Sequence, residues 1–507
     1  MSPHDWWREG VLYQVYPRSF ADADGDGIGD LRGLIGRLDH LEWLGIDGIW
    51  LSPIHPSPNE DWGYDVSDYL GVHPDLGTLA DVDELIAAAR ERGIRILLDL
   101  VPNHTSVEHP WFRERPELYV WADEVPNNWR NAFDGESSWT LDAERGRYYL
   151  HTFAPGQPDL DWRNPDVHEE FRRILRFWHE RGVAGFRLDV VNVLYKDPEL
   201  RDEPPPLPED HPEVRRHGHR RVHSMNQPET HELLREWRAL CDAFEPPCIL
   251  VGETYVFEVP EWAAFYGAGQ DQLHLSFEFK LTYSPLDARA MRGVVAEVEH
   301  ELPTGAWPCW AGSSHDAGRL ASRWADGDER LARCGLLILL GLRGTPFLYY
   351  GDELALREGH VPPERRRDRA RTPRDAGRTP MPWEPGDGGW QDPWLPLEDT
   401  SRNVADQRED RASTLHFTRD LIATRRRLAD LRTGAYRPLA APEDVWAWRR
   451  GEGCAVAVNL GSRTARVDLQ GLVELSTDRG REGEPFDGSL AAGEGVVLTL
   501  ARARSRS

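Results

Sequence analysis

Residues 80–104 read Ala-Asp-Val-Asp-Glu-Leu-Ile-Ala-Ala-Ala-Arg-Glu-Arg-Gly-Ile-Arg-Ile-Leu-Leu-Asp-Leu-Val-Pro-Asn-His. Over Ala80–Arg92 the apolar residues recur three or four apart, the spacing of a half-buried helix. Ile94–Leu100 is a short apolar run of strand type, and a polar tail, Asp99 to His104, follows it. The same pairing recurs along the chain. Strand-like runs fall at Leu12–Tyr16, Gly48–Leu51, Ile94–Leu100, Gly185–Val190, Ile249–Glu253, Leu273–Phe279, Trp307–Ala311 and Pro346–Tyr350. Helical patterns lie between them, at His168–Arg181, Thr230–Ala243 and Glu329–Leu342 as well as Ala80–Arg92. Alternating strand and helix implies a parallel sheet, and eight such units imply an α/β fold of the (β/α)8 TIM-barrel kind rather than an open doubly wound sheet.

Two stretches break the rhythm. Residues 104–165 are rich in Trp, Asn, Pro and Gly and too long for a plain connection, so they are expected to form a small inserted domain after strand three. From residue 434 short alternating strands take over, as at Val445–Arg449, Cys454–Asn459 and Val496–Leu500, and predict a C-terminal antiparallel β-domain over 434–507 with frayed last residues from about Ala501. The barrel then comprises 1–103 and 166–433. Lys196–Ser224 is a proline-containing loop with four histidines, His211, His217, His219 and His223. Their irregular spacing favours a polar loop over the barrel mouth above a metal site. Arg357–Arg378 is an arginine-dense loop following the eighth strand, near any barrel active site.

A net charge of −26 over 507 residues argues against nucleic acid or an anionic membrane as partner, since both need clustered basic residues. Lys196 and Lys280 are the sole lysines, so arginine carries nearly all the positive charge. No run approaches the roughly 18 apolar residues of a membrane span. Met1–Gly10 shows no basic head followed by an apolar stretch. The five cysteines, Cys241, Cys248, Cys309, Cys334 and Cys454, are odd in number and lack paired spacing, which predicts reduced thiols rather than disulfides or zinc. A soluble cytoplasmic protein is expected.

In such a barrel, reactive groups gather where the strands end. The strand ends carry Asp99-Leu-Val-Pro-Asn103-His104, Gly185-Phe-Arg187-Leu-Asp189, Gly252-Glu253-Thr254 and Ser313-Ser-His315-Asp316. One Asp at a strand end is often only a helix cap. Four such motifs on one rim point to chemistry. Arg187 and Asp189, two apart, share a strand face, and the guanidinium is expected to hold Asp189 as an anion. Glu253, facing Asp189 and Asp316, is expected to be kept protonated by repulsion. Two carboxyls with separated pKa values suit glycoside cleavage with retention.

These segments closely resemble the four signature segments of the α-amylase superfamily, glycoside hydrolase family thirteen, and the resemblance covers nearly the whole chain. It implies Asp189 as nucleophile, Glu253 as acid/base and Asp316 as the third acid that fixes sugar hydroxyls. It also implies that His104 and His315 hydrogen-bond the sugar and that Arg187 orients Asp189. Gln157–Leu160, Trp62–Asp65 and Arg378–Trp383 look like the oligo-1,6-glucosidase and α-glucosidase branch. By that resemblance Asp65 and Arg378 would hold the end hydroxyls of the terminal glucose and close the cleft into a pocket, giving exo action. Tyr64 would stack beneath the ring and Phe153 would form a wall, with plain core packing the competing reading for both aromatics. Two departures stand out. Ser314 takes the place of the family's usual Asn, and Val190 follows the nucleophile, where in this branch Val tends to accompany α-1,6 linkages and Thr α-1,4.

Asp22-Ala-Asp24-Gly-Asp26-Gly-Ile28-Gly-Asp30 repeats acids at alternate positions, as a hard-cation loop does. Position twelve is Gly33 where a calcium hand has a bidentate Glu, so a smaller site is expected. The resemblance supports one structural Ca²⁺ or Mg²⁺ on Asp22, Asp24, Asp26, the Ile28 carbonyl and Asp30, with a solvated acidic turn as the alternative and no organic cofactor. The reading favoured by all this is a retaining exo-acting α-glucosidase on short α-glucosides. Its alternatives are a transglucosidase or sucrose isomerase on the same scaffold, against which stands the lack of an Arg-Leu-Asp-Arg run, and a non-catalytic relative, disfavoured because all three acids remain.

Overall fold

The computed structural model describes residues 5–370 and 372–500; the expected fraying from Ala501 and the outermost ends of the two terminal segments lie outside them. Eight strands form one all-parallel sheet: β1 (Leu12–Val15), β2 (Gly48–Leu51), β3 (Arg95–Leu100), β4 (Gly185–Leu188), β5 (Ile249–Gly252), β6 (Leu275–Ser276), β7 (Cys309–Ala311) and β8 (Thr345–Tyr349). The order is β7-β8-β1-β2-β3-β4-β5-β6, and a parallel bridge between Phe277 and Cys309 joins β6 to β7, so the sheet closes on itself. The sixth strand keeps only two of the residues expected for it.

Strand periodicity divides each strand between two cores. Leu12, Trp50, Leu97, Ile249, Val251, Leu275, Cys309 and Phe347 fill the barrel interior. Tyr13, Ile49, Ile96, Leu98, Phe186, Leu250 and Leu348 face outward into the layer shared with the helices. Extending the inward row two residues past Leu97 reaches Asp99, and Arg187 pairs with Asp99 across β3 and β4. The row that packs the barrel thus delivers the polar groups at its rim.

The helices start where their sequences supply caps. Thr78 and Asp81 form a reciprocal capping box on Leu79–Glu91, and Asn164 with Pro165 opens Pro165–Glu180. Glu329–Gly341 ends against the C-terminal sheet. There the buried guanidinium of Arg425 bonds the Leu340, Leu342 and Gly344 carbonyls, and Arg450 bonds those of Gly341 and Leu342. Two cations thereby satisfy carbonyls that a helix end leaves open.

Between β3 and the Pro165 helix, Trp121–Ala122, Arg147–Leu150 and Trp139–Asp142 form a three-stranded antiparallel sheet around Trp129, Trp139 and Leu150. Bridges His104–Asp159 and Tyr119–Leu160 pair the two ends of this segment with each other. After residue 434 a five-stranded antiparallel sheet runs Tyr436–Pro438, Val445–Arg450, Cys454–Asn459, Glu494–Thr499, Leu472–Ser476. All five cysteines are buried and free. Among the described residues no helix is long and apolar enough to cross a membrane.

Candidate functional site

Arg187 is the hub of the rim. Its Nη1 donates to both Asp99 oxygens at 2.9 and 3.1 Å and to Asp189 Oδ1 at 2.7 Å, and its Nη2 donates to Glu253 Oε2 at 2.6 Å. The guanidinium lies over the Trp50 ring, 4.8 Å from its centroid. Glu253 Oε2 also accepts the Val190 amide at 3.2 Å. Val190 itself has φ 36°. A β-branched residue in that region is strained, and the strain sits directly after the expected nucleophile.

The electrostatics differ from the expectation of one anion and one proton donor set apart by repulsion. One guanidinium serves three carboxyls, including Asp99, to which the sequence reading gave no role. Burial pushes Asp189 well above the usual carboxylate range, against the pull of Arg187 and with added repulsion from Glu253, Asp99 and Asp316. Burial lifts Asp99 to about 6 despite Arg187. Both carboxyls are thus harder to ionise than a free one, with Arg187 opposing the rise in each. Glu253, expected to face the anions Asp189 and Asp316, is also bonded directly by Arg187.

Asp316 belongs to a second group. Burial would push it up, but His315, Arg374 and Arg378 outweigh that and hold it well below the usual range. Its Oδ1 accepts from Arg374 Nη1 at 2.7 Å and Arg378 Nη2 at 3.1 Å. His315 Nδ1 meets the Gln14 amide nitrogen at 2.9 Å, which makes it the acceptor and leaves the proton on Nε2. That Nε2 is buried against Asp316 Oδ2, 3.0 Å away. The His315 ring stacks on Tyr64, 5.2 Å away and 4° from parallel, and Tyr64 Oη donates to Asp99 Oδ2. Tyr64 is 6% exposed, a floor to the site. Ser314 Oγ accepts the Asp316 and Ala317 amides, so the hydroxyl pins the turn where the family's Asn is missing.

The charged pair expected at Asp65 and Arg378 forms elsewhere. Asp65 is fully buried and spends its oxygens on Ser57 Oγ and the Glu60 and Asp61 amides. It holds a turn in which Asn59, Trp62 and Gly63 all have positive φ. That turn presents Asp61, whose Oδ1 accepts from Arg374 Nη2 at 2.8 Å and whose Oδ2 accepts from Gln157 at 3.1 Å. Arg374 is braced from behind by Asp368. Arg378 lies one turn deeper, on Asp316 and the His315 carbonyl.

His104 Nδ1 accepts from Asn103 Nδ2 at 3.1 Å, and its Nε2 is 3.1 Å from the Tyr64 carbonyl. Burial brings His104 and His315 both down to about 4, so both are neutral near pH 7. Phe153 packs 5.2 Å from the His104 ring. Lys196 was not anticipated. Its Nζ bonds Asn103 Oδ1 at 2.7 Å, Asp159 Oδ2 at 2.9 Å and the Val193 carbonyl, tying β3, the inserted segment and the β4 loop to one ammonium. Its retention in an arginine-dominated chain was the available signal: a tetrahedral ammonium with three acceptors cannot be replaced by a planar fork.

In the acidic loop, Asp22, Asp24 and Asp30 bring carboxylate oxygens within 4.8 Å of one another. Asp26 falls outside that group, its Oδ1 accepting the Ile28 amide at 2.8 Å. The four loop histidines do not come together as a ligand set among the described residues.

Residues 14–434 match the family model for the alpha amylase catalytic domain. A probable alpha-glucosidase of Rhizobium meliloti is 43% identical over 83% of each chain. A trehalose-6-phosphate hydrolase of Escherichia coli is 37% identical, covering 90% of this chain and 91% of its own. The crystal structure of an alpha-glucosyl transfer enzyme superposes with a TM-score of 0.91 at 34% identity, over 98% of this chain and 99% of the other.

Proposed function

The chain belongs to the α-amylase family of glycoside hydrolases, and from that premise we propose that it is a retaining, exo-acting α-glucosidase on short α-glucosides. What carries the reading is that Asp189 and Glu253 meet the two terminal nitrogens of one guanidinium. That sharing favours the separation of about 5–5.5 Å used for retention over the roughly 6.5–9.5 Å that leaves room for a water.

In the reacting complex the proton donor is Glu253. A glucosyl unit entering the site sets its anomeric carbon against Asp189, whose anion Arg187 supports. Glu253 gives its proton to the leaving oxygen as Asp189 forms the glucosyl ester. Glu253, now a base, takes a proton from the incoming water, and α-glucose leaves with Asp189 restored. Asp316, held anionic, and the His315 Nε2 proton supply an acceptor and a donor for ring hydroxyls, and Tyr64 lies under the sugar. Asp61 and Arg374 close the end of the pocket, so only a chain terminus fits. The alternative, transfer of glucose to a sugar acceptor, shares every step up to the ester and is supported by the likeness to the alpha-glucosyl transfer enzyme.

Asp61→Asn is expected to raise KM for a short α-glucoside about tenfold or more, the loss of a charge-assisted contact, with the melting temperature near wild type. Asp65→Asn is expected to lower stability instead, because an amide NH₂ would face the Glu60 N–H. Loss of substrate affinity confined to the Asp65 variant would reverse the assignment.

The three converging acids Asp22, Asp24 and Asp30 suit one hard cation, with the Ile28 carbonyl and Asp26 as further ligands on the same turn; the ion would pin the β1 loop and take no part in the chemistry. Chelation is then expected to lower the melting temperature by several degrees, about the effect of 1–2 kcal/mol. An unchanged transition with no metal by elemental analysis would remove the ion from the account.

A further inference from the structure

His315 and Asp61 stand on different elements, yet both lead back to one indole. The His315 ring stacks on Tyr64 and also on Tyr16, 6.0 Å away and 22° from parallel. Tyr16, the residue after β1, is buried and stacks in turn on Trp394, 6.1 Å away and 20° from parallel. Trp394 also meets Trp62, 4.8 Å between ring centroids. Trp62 directly follows Asp61 and has φ 50°, so its ring is the handle of the strained turn that presents Asp61. Backbone makes a third link. The Trp394 carbonyl accepts from Arg367 Nε at 3.4 Å, and the Arg367 carbonyl accepts Trp62 Nε1 at 3.0 Å. The next residue, Asp368, is the one that braces Arg374.

The indole itself is held fast, although it lies in a stretch between Arg378 and Val404 that has neither helix nor strand. Trp394 is buried, its Nε1 donates to Ser19 Oγ at 2.9 Å, and its amide donates to the Gly27 carbonyl at 2.9 Å. Gly27 has φ 87°, and a Cβ there would fall 2.2 Å from the Asp392 carbonyl oxygen, so only glycine lets the acidic loop come this close. One ring anchored from two sides thus supports groups from the β1 end, from the turn after β2 and from the loop after β8. Groups held in place before a ligand arrives do not have to be ordered by it, which is where affinity is gained.

We infer that Trp394 is a positioning residue for the terminal sugar: it sets the His315 ring through Tyr16 and the Asp61 turn through Trp62. This rests on the glucosidase reading of the cleft and names a determinant of its affinity. Contacts preset in this way bind ground state and transition state alike, so their loss enters KM rather than kcat. Trp394→Leu is expected to raise KM for a nitrophenyl α-glucoside, and the Kd for glucose by calorimetric titration, about three- to tenfold, the worth of one or two aromatic contacts. Trp394→Phe, which keeps a ring, should recover most of both. Trp62→Leu, at a half-buried ring, should raise the same two constants, and the double variant should fall short of the product of the single losses, because the rings are in contact. A Trp394→Leu protein with a lower melting temperature but unchanged KM and Kd overturns the inference. So does an equal loss in Trp394→Phe, or a double variant whose losses multiply in full. Should Trp394→Leu fail to fold, unchanged constants in Trp62→Leu overturn it. Failure of the wild type to cleave the nitrophenyl glucoside strikes the glucosidase reading and leaves the glucose titration to decide the role of Trp394.

Discussion

Asp189→Asn is expected to keep the fold and lose turnover by roughly 10³-fold or more, the scale set by removing a covalent nucleophile. The amide oxygen can still accept from Arg187 Nη1, which bonds Asp189 at 2.7 Å, so the rim should stay assembled. Glu253→Gln likewise keeps an acceptor for Arg187 and for the Val190 amide. Its loss should depend on the leaving group. A nitrophenolate departs without help, so glucosyl-enzyme formation from an aryl glucoside should suffer far less than from a disaccharide, whose leaving alkoxide needs a proton. Measuring both variants on both substrates separates the roles. Equal losses of Glu253→Gln on the two substrates would take the acid role from Glu253.

The second large effect concerns Arg187. Substituting Met removes the one cation shared by Asp99, Asp189 and Glu253 and strands buried carboxyls, for which breaking a buried pair costs about 3–5 kcal/mol. The direction with pH follows from the shifts. Asp99 and Asp189 are already raised by burial, and Arg187 opposes the rise in both. Without it they rise further. A carboxyl raised above its unfolded value adds stability below the unfolded pKa of about 3.9 and loses it as pH climbs through the folded one. Arg187→Met should therefore be closer to wild type in denaturant midpoint at pH 5 than at pH 8. A deficit independent of pH would mean that the guanidinium contributes packing on Trp50 rather than charge.

The barrel was legible because each strand alternates between two cores and each helix carries its face at helical spacing; the six-residue run of β3 and the Leu79–Glu91 helix were located within a residue or so. The sixth strand was placed at Leu273–Phe279 but is shorter, Leu275–Ser276 alone forming it with Phe277 adding the bridge to Cys309. That Asp189, Glu253 and Asp316 come together was legible because strand ends must meet at one rim. The sequence reading assigned the pocket's end to Asp65 and Arg378, whereas the proposed reading assigns it to Asp61 and Arg374, for a physical reason. Asp61 and Asp65 are four apart, as are Arg374 and Arg378, and motif spacing alone cannot tell which of each pair faces the cleft. Donors decide it. Ser57 and the tight turn after it offer Asp65 a full set of partners, whereas Asp61 is left for arginine. The resting electrostatics were missed because the reading counted Arg187 against one carboxylate, and the closed barrel sets three around it.

The proposed reading requires two displacements at the anomeric carbon, and the anomer first released reports their number. Following a fresh digest by proton NMR before mutarotation, the account predicts α-glucose as the initial product. Initial β-glucose would mean a single displacement by water and would contradict the assignment of Asp189 as nucleophile.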